Sequence, residues 1–255
     1  MKSFVTNALL VRQVAYGESD VIATLFTEAE GKLGVMVRGG RKSCKRVGGA
    51  LEPFHTLEAR IDDRGGELGA LREARIVRVR AGIVATLEAI DAAGTALRWL
   101  RHLCPPRTRE PEAWLTVNEL LDALDAAGGV APDGESERSS ARSAPKVALA
   151  ECGLRLLADV GYGLDLERCI QCGKECPPAR SARIDPARGG LVCSTCVALS
   201  APLSGGRGVV VSAELRAKAI AAVTRSDPTP MTPVDAEAIL ALVDAAMAAH
   251  AGFDR

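Results

Sequence analysis

Histidine and aromatic residues are scarce in this 255-residue chain, which has three His, four Phe, two Tyr and two Trp. His55, His102 and His250 stand without a carboxylate or nucleophile at motif spacing, so general acid–base or triad chemistry has little to build on. A G-x-x-x-x-G-K-[ST] run is also missing, which argues against P-loop nucleotide hydrolysis. No stretch approaches the roughly eighteen apolar residues of a membrane span. Met1-Lys2-Ser3-Phe4 opens without an apolar leader, and the expectation is a soluble, cytoplasmic protein with no membrane partner. Net charge is absent too, with 32 Lys and Arg against 32 Asp and Glu.

That balance hides a segregation. Residues 1–80 hold 14 basic against 10 acidic side chains, and residues 81–168 hold 9 against 14. Residues 169–208 hold 5 against 2, and residues 209–255 hold 4 against 6. From position 32 to 46, Lys32, Arg38, Arg41, Lys42, Lys45 and Arg46 occur with no acidic residue between them, a block that suits a polyanion.

Four of the eight cysteines form one array. Cys169 and Cys172 make a C-x₂-C pair, and Cys193 and Cys196 make a second after a twenty-residue loop. Two such pairs supply the four thiolates of a closed tetrahedral zinc shell, so one structural Zn²⁺ is expected. Gly173 follows the first pair and Gly189-Gly190 precede the second, where tight turns need glycine. Four protein ligands leave no open position for a reacting water, which points to a staple and not a catalytic metal. Cys176 breaks the two-residue rhythm and is left outside the shell. Cys44, Cys104 and Cys152 are singletons expected to act as small buried apolar residues.

Periodicity divides the remainder. Short alternating runs at Val5–Val14, Val21–Phe26, Leu33–Val37, Phe54–Ile61 and Arg75–Val79 predict five strands and a small closed barrel of the OB type. Leu33, Val35 and Val37 share a face of their strand. After Ala81 the spacing turns helical, through Ile83, Leu87, Ile90, Leu97 and Leu100, with Pro105-Pro106 as the stop. Pro111 opens a second helix with Trp114, Val117, Leu121 and Leu124 on its apolar face. Residues 128–145 predict a flexible loop, and Pro145 the start of a helix carrying Leu154, Leu157 and Val160. Ser212 is expected to cap a helix with Leu215, Ala219, Ile220 and Val223 inside, and Thr232 one with Ile239, Leu242, Val243 and Ala246. The fold class is thus α+β and multidomain. The expected parts are a barrel over 1–80, a helical domain over 81–168, a zinc-ribbon-like segment over 169–208, and helices over 209–255 packing on the helical domain. Phe26 and Phe54 are expected in the barrel core, and Trp99 and Trp114 in helix packing.

The string Tyr16-Gly17-Glu18-Ser19-Asp20, with Thr24-Leu25-Phe26-Thr27, Gly31-Lys32-Leu33, Arg38-Gly39-Gly40-Arg41-Lys42 and Gly49-Ala50-Leu51-Glu52-Pro53-Phe54, closely resembles the N-terminal region of the RecO family of bacterial DNA repair proteins. Leu71-Arg72-Glu73-Ala74 extends the likeness, and the cysteine array matches the zinc-bearing members. The resemblance implies an OB-fold, a helical domain and a zinc-ribbon-like segment. It also implies a non-enzymatic mediator of recombination in the RecF pathway, cytoplasmic and nucleoid-associated. Such a mediator binds single- and double-stranded DNA and anneals complementary strands. With RecR, and at the tail of the single-stranded-DNA-binding protein, it loads RecA.

From the residues themselves, the expected DNA contacts are Lys32, Arg38, Arg41, Lys42, Lys45 and Arg46, with Arg78 and Arg80 on a second basic line that also holds Arg72 and Arg75. Phosphate contact is expected to outweigh base stacking, because so few aromatics are free of core positions. Lys174, Arg180, Arg183 and Arg188 decorate the cysteine loop, where a stapling metal is favoured over direct DNA contact. The alternative is a zinc-ribbon adaptor for protein partners, or a transcription-associated factor, without annealing activity.

Overall fold

Apolar residues at every second position build the first half of the molecule. The computed structural model describes residues 2–41, 47, 49–129, 135–199, 208–226 and 230–251, with backbone alone for 135–141, 199 and 251. Strands β1 (Lys2–Tyr16), β2 (Asp20–Thr27), β3 (Gly31–Val37), β4 (Thr56–Asp63) and β5 (Leu68–Arg78) close a barrel in the order β1-β2-β3-β5-β4. The β3–β5 pair is parallel and the other four pairs are antiparallel, which is the expected OB-like closure. Ala8, Val21, Ala23, Leu25, Leu33, Val35, Val37, Leu57, Ala59 and Ile61 fill the interior, and Val47 and Ala50 of the β3–β4 loop join them. Period-two alternation puts each of these strand residues on the same side of its strand.

Phe26 breaks the expectation of a core role inside the barrel. It alternates with Val21, Ala23 and Leu25 and therefore points outward. It is nonetheless fully buried, because the ring of Trp114 covers it at 6.1 Å between centroids. Phe54 is also buried outside the interior cluster, with φ at +74° just before β4.

A short 3₁₀ turn over Ala81–Ala85 leads to α1 (Leu87–Leu103), which Thr86 caps by accepting from the Ala89 N–H at 3.2 Å. Ile83, Leu97 and Leu100 are buried as the spacing predicts, but Leu87 opens the helix and is 77% exposed. Alanines at 89, 92, 93 and 96 take the inner face and allow close packing. Helix α2 (Pro111–Gly128) buries Trp114, Val117, Leu121 and Leu124, as expected. The 3₁₀ turn and α2 meet so tightly that a Cβ at Gly82 would come within 2.1 Å of the Asp125 carbonyl oxygen, and one at Gly128 within 1.9 Å of the Gly82 carbonyl.

These elements form one compact unit, residues 1–131, and residues 132–255 form another. The division thus falls inside the expected helical domain of 81–168: α1 and α2 belong with the barrel, not with the helices that follow. At this boundary the charge segregation also disappears, with 18 basic against 17 acidic residues in the first unit and 14 against 15 in the second.

In the second unit, α3 runs from Glu135 to Asp159 with Pro145 inside it. The expected loop over 128–145 is corrected for residues 135–145, which are helical, while residues 130–134 lie outside the described residues; the expected helix start at Pro145 is corrected as well. The Glu, Arg and Ala residues of 135–144 are good helix formers, and a proline costs one N–H bond without ending a helix that packing supports. Leu154 and Leu157 face inward. A three-stranded sheet follows in the order β7-β6-β8, from β6 (Ala182–Asp185), β7 (Gly190–Val192) and β8 (Val209–Val211), with α4 (Ser194–Leu199) after β7. Ile184, Leu191, Val192 and Val211 are buried apolar residues of this ribbon.

Helix α5 (Ala213–Thr224) starts at Ser212, whose Oγ accepts from the Leu215 N–H at 3.1 Å. Helix α6 (Pro233–Ala251) starts with a reciprocal cap: Thr232 Oγ1 accepts from the Asp235 N–H at 3.2 Å, and Asp235 Oδ2 accepts from the Thr232 N–H at 2.9 Å. Ile239, Leu242, Val243 and Ala246 are buried against α3 and its neighbours. No helix among the described residues is long and apolar enough to cross a membrane.

Candidate metal centre and nucleic-acid surface

The first cysteine pair sits in a tight knuckle. Arg168 and Glu175 pair across it, the Gly173 N–H donates to the Cys169 carbonyl at 2.8 Å, and the Cys169 N–H donates to Lys174 at 2.9 Å. Gly173 closes the turn at φ +70°, a conformation other residues resist. The second pair is built differently. Cys193 directly follows β7 and Cys196 lies in the first turn of α4, while Gly189 and Gly190 turn the chain between β6 and β7. Backbone bonds between Ile170 and Leu191 and between Leu191 and Asp165 lay the knuckle beside β7. That alignment brings the two pairs together.

All four sulfurs lie within 4.8 Å of one another, and Cys172 Sγ and Cys193 Sγ are 3.8 Å apart. A tetrahedron with metal–sulfur bonds of about 2.3 Å has edges of about 3.8 Å, so the cluster can hold a metal ion. Cys169 is buried, Cys193 and Cys196 are half-buried and Cys172 is exposed. Burial raises the Cys169 thiol, but N–H donors of Cys193, Cys172 and Gln171 outweigh it and bring it down to about 6. The proton shared with Cys193, together with burial and the other two sulfurs, pushes Cys196 up to about 12. Four clustered sulfurs cannot all ionise without a cation between them. Cys176 lies outside this cluster and its thiol faces the Pro177 carbonyl. Cys104 and Cys152 are buried, as their singleton positions suggest, and Cys44 is outside the described residues.

Sequence reasoning missed Arg216. It is 2% exposed, and its guanidinium donates to the carbonyls of Leu166, Cys176 and Pro177, tying α5 to both sides of the knuckle. The signal was faint but present: position 216 lies one turn before Ala219 and Ile220, on the face expected to be apolar. Lys218, 5% exposed, is bound by Glu214 and Asp235 at 2.8 Å each and links α5 to α6. The inner face of α5 therefore reads Arg216, Lys218, Ala219 and Ala222, while Leu215, Ile220 and Val223 are only half-buried.

The basic residues of the barrel do not share one fate. Arg38 and Arg41 are exposed at the end of β3, and neither joins an ion pair among the described residues. Their loop is pinned to the β1–β2 turn by Gly39 N–H to Asp20 Oδ1 at 2.8 Å, Arg41 N–H to the Ser19 carbonyl at 2.9 Å, and Arg41 Nη1 to the Gly17 carbonyl at 3.3 Å. Lys42, Lys45 and Arg46 lie outside the described residues. Lys32 departs from expectation. It is half-buried at the other end of β3, with its ammonium donating to the Arg101 carbonyl at 2.5 Å, where a cation suits the C-terminus of α1. Burial, and Arg101 after the opposing influence of Cys104, holds this ammonium below its ordinary range.

The second basic line is neutralised. Arg72 meets Asp62 at 2.7 Å, Arg75 meets Glu58 at 2.7 Å, and Arg78 meets Asp122 at 2.9 Å. Arg80 is not a surface residue at all. It is fully buried and donates to Asp122, Asn118, the Phe54 carbonyl and Thr56. Alternation along β5 would have put Arg78 and Arg80 on one face, but the strand ends at Arg78, which frees Arg80 to turn inward towards α2. Arg80 cannot contact DNA in this fold.

On the ribbon, Arg168 pairs with Glu175 and Arg183 donates to the Gly208 carbonyl, while Lys174, Arg180 and Arg188 are exposed. A divalent ion held by the four thiolates would leave two net negative charges on this segment, a charge that basic residues of the same ribbon would suit. Each of the three histidines has a neighbour of its own: His55 Nδ1 accepts from the Arg80 N–H, His250 stacks on Tyr162 at 5.1 Å, and His102 Nε2 lies 2.8 Å from Arg101 Nη2.

The barrel and the cysteine-bearing unit each match a family model. Residues 1–80 match that of the recombination protein O N terminal region, and residues 138–254 match that of its C terminal region. The chain is 37% identical to the DNA repair protein RecO of Anaeromyxobacter sp. (strain Fw109-5) over 199 residues, which is 77% of this chain and 71% of that protein. It is 37% identical to RecO of Geobacter sulfurreducens over 78% of this chain and 74% of that one, and 33% identical to RecO of Myxococcus xanthus over 77% and 73%. Both halves of the fold and the cysteine cluster thus fall within one family, and the chain belongs to the RecO family of DNA repair proteins.

Proposed function

We propose that this chain is a DNA-binding recombination mediator that holds single- and double-stranded DNA at the barrel rim, anneals complementary strands and, with RecR, helps load RecA on strands coated by the single-stranded-DNA-binding protein. The observation that carries the binding part is the pair Arg38 and Arg41, exposed on a loop that is fixed to the barrel by hydrogen bonds. A fixed loop loses little conformational freedom when it meets a phosphate, and glycines beside both arginines let the backbone come close. Annealing needs two phosphate backbones to approach, and cations between them lower that repulsion without any covalent step. The protein acts as a non-enzyme in the bacterial cytoplasm, at the nucleoid. Its bound metal is Zn²⁺, which suits four thiolates at tetrahedral spacing.

Two measurements test this. Fluorescence anisotropy with a labelled oligonucleotide should show affinity falling steeply as salt rises, and the double substitution Arg38→Ala, Arg41→Ala should lower both affinity and slope. Affinity that stays flat from low to moderate salt sinks the rim mechanism. Separately, zinc-loaded monodisperse protein should anneal complementary oligonucleotides. Absence of annealing removes the mediator reading and leaves a zinc-ribbon adaptor that works on protein partners.

A further inference from the structure

We infer that the C-terminal half of α1 is a second phosphate-binding surface, formed by Arg98, Arg101 and His102, that tracks a nucleic-acid backbone at the end of the barrel away from the Arg38–Arg41 rim. The inference rests on the DNA-binding reading above and extends it to a new surface of the same unit.

Arg98, Arg101 and His102 stand at i, i+3 and i+4 of one helix and so occupy one face. Arg98 and His102 are exposed and Arg101 is half-buried. Arg101 Nη2 lies 2.8 Å from His102 Nε2, and Lys32 arrives from β3 to bind the Arg101 carbonyl at 2.5 Å. Between residues 92 and 109 the chain contains no Asp or Glu. The acids of this helix, Glu88 and Asp91, belong to its first turns; Asp91 is seven residues from Arg98, about 10 Å along the axis and beyond a Debye length of about 8 Å at physiological salt.

Helix-end electrostatics account for only part of this arrangement. A helix C-terminus carries about half a negative charge, which one cation more than offsets. Here Lys32, Arg98 and Arg101 gather with a histidine beside them. Burial, and after it Arg101 and Lys32, hold His102 below its ordinary range, so both cations are close enough to act on the ring.

The chemistry favours a phosphate backbone over a protein segment. Every Leu and Trp from 97 to 103 is buried, so the surface offers charge with no large apolar anchor. A peptide motif draws its affinity from such anchors, whereas a phosphate backbone needs charge alone. Lys32 and Arg38 stand six residues apart on an extended strand, about 20 Å, so the two basic sites reach different phosphates. Two separated sites suit a protein that must hold more than one segment of strand at once.

The test compares the full-length protein with Arg98→Ala, Arg101→Ala and, in parallel, with Arg38→Ala, Arg41→Ala, on a labelled poly-dT oligonucleotide over a salt series. The α1 double variant is expected to bind about tenfold more weakly at moderate salt, with the slope of log affinity against log salt reduced by about 1.4, the value for two lost contacts to a single strand. It should melt within a few degrees of the parent. Arg98→Lys, Arg101→Lys should keep the parent slope, because charge is what the surface supplies. Unchanged affinity and slope in the α1 variant, with both reduced in the rim variant, overturn this inference and leave the DNA-binding reading standing. Loss of affinity for an acidic peptide with DNA binding intact also overturns it and makes the surface a protein site. If neither double variant changes DNA binding, both readings fall.

Discussion

Arg80 and Arg216 show how a single cation can serve the fold and nothing else. Each is buried, each spends its guanidinium on groups distant in sequence, and each fastens two elements together. Removing one end of a buried ionic network costs about 3 kcal/mol or more, since the partners stay desolvated. Arg80→Met should therefore lower the melting temperature markedly while leaving the DNA affinity of the folded fraction unchanged, whereas Arg38→Ala should do the opposite. Melting curves and anisotropy on the same preparations check the pair. The cysteines yield a similar contrast. Cys169→Ser should lower the metal content from one ion per chain and reduce stability, while Cys176→Ser should change neither, as elemental analysis and calorimetry would record. Metal binding must also expel the proton that the cysteine cluster retains at Cys196, so occupancy should fall as pH falls.

At the scale of elements, α5 depends on charges that its neighbours supply. Asp235 sits at the start of α6, and the Lys218 ammonium is the main reason its carboxyl lies below the usual range, burial opposing it and Thr232 assisting. A depressed carboxyl adds stability above its unfolded value and loses that contribution as pH falls through its folded value, here below about pH 4. Thermal melts between pH 5 and pH 3 should show the loss, and Lys218→Met should make the protein less stable at pH 5 with a shallower fall towards pH 3. The legible parts of the sequence were those that local pattern decides. Leu33, Val35 and Val37 alternate on one strand, Ser212 and Thr232 cap helices within three residues, and C-x₂-C spacing is itself a local geometry. What the pattern left dark was what lies across from each residue. Asp122 is 42 residues from Arg80 and Arg101 is 69 from Lys32, so neither pairing leaves a periodic trace. Helix α3 passing through Pro145 was hidden for the converse reason, a strong local signal overruled by packing.

Across the whole molecule, the cysteine cluster that can hold a metal belongs to one unit and the basic rim to the other. Chelation should then raise amide hydrogen exchange in the knuckle, the ribbon sheet and α5 while β1–β5 keep their protection, which mass spectrometry on the intact chain can follow. Equal loosening of the barrel would show that the metal's influence is not confined to its unit. The near-balance of charge in residues 1–131 has a kinetic side as well. A body with almost no monopole is not drawn bodily towards DNA; its uneven charges instead give it a dipole, and the polyanion's field first exerts a torque on it. In the proposed reading, productive collisions are those already turned cationic face foremost, and other encounters separate without sticking.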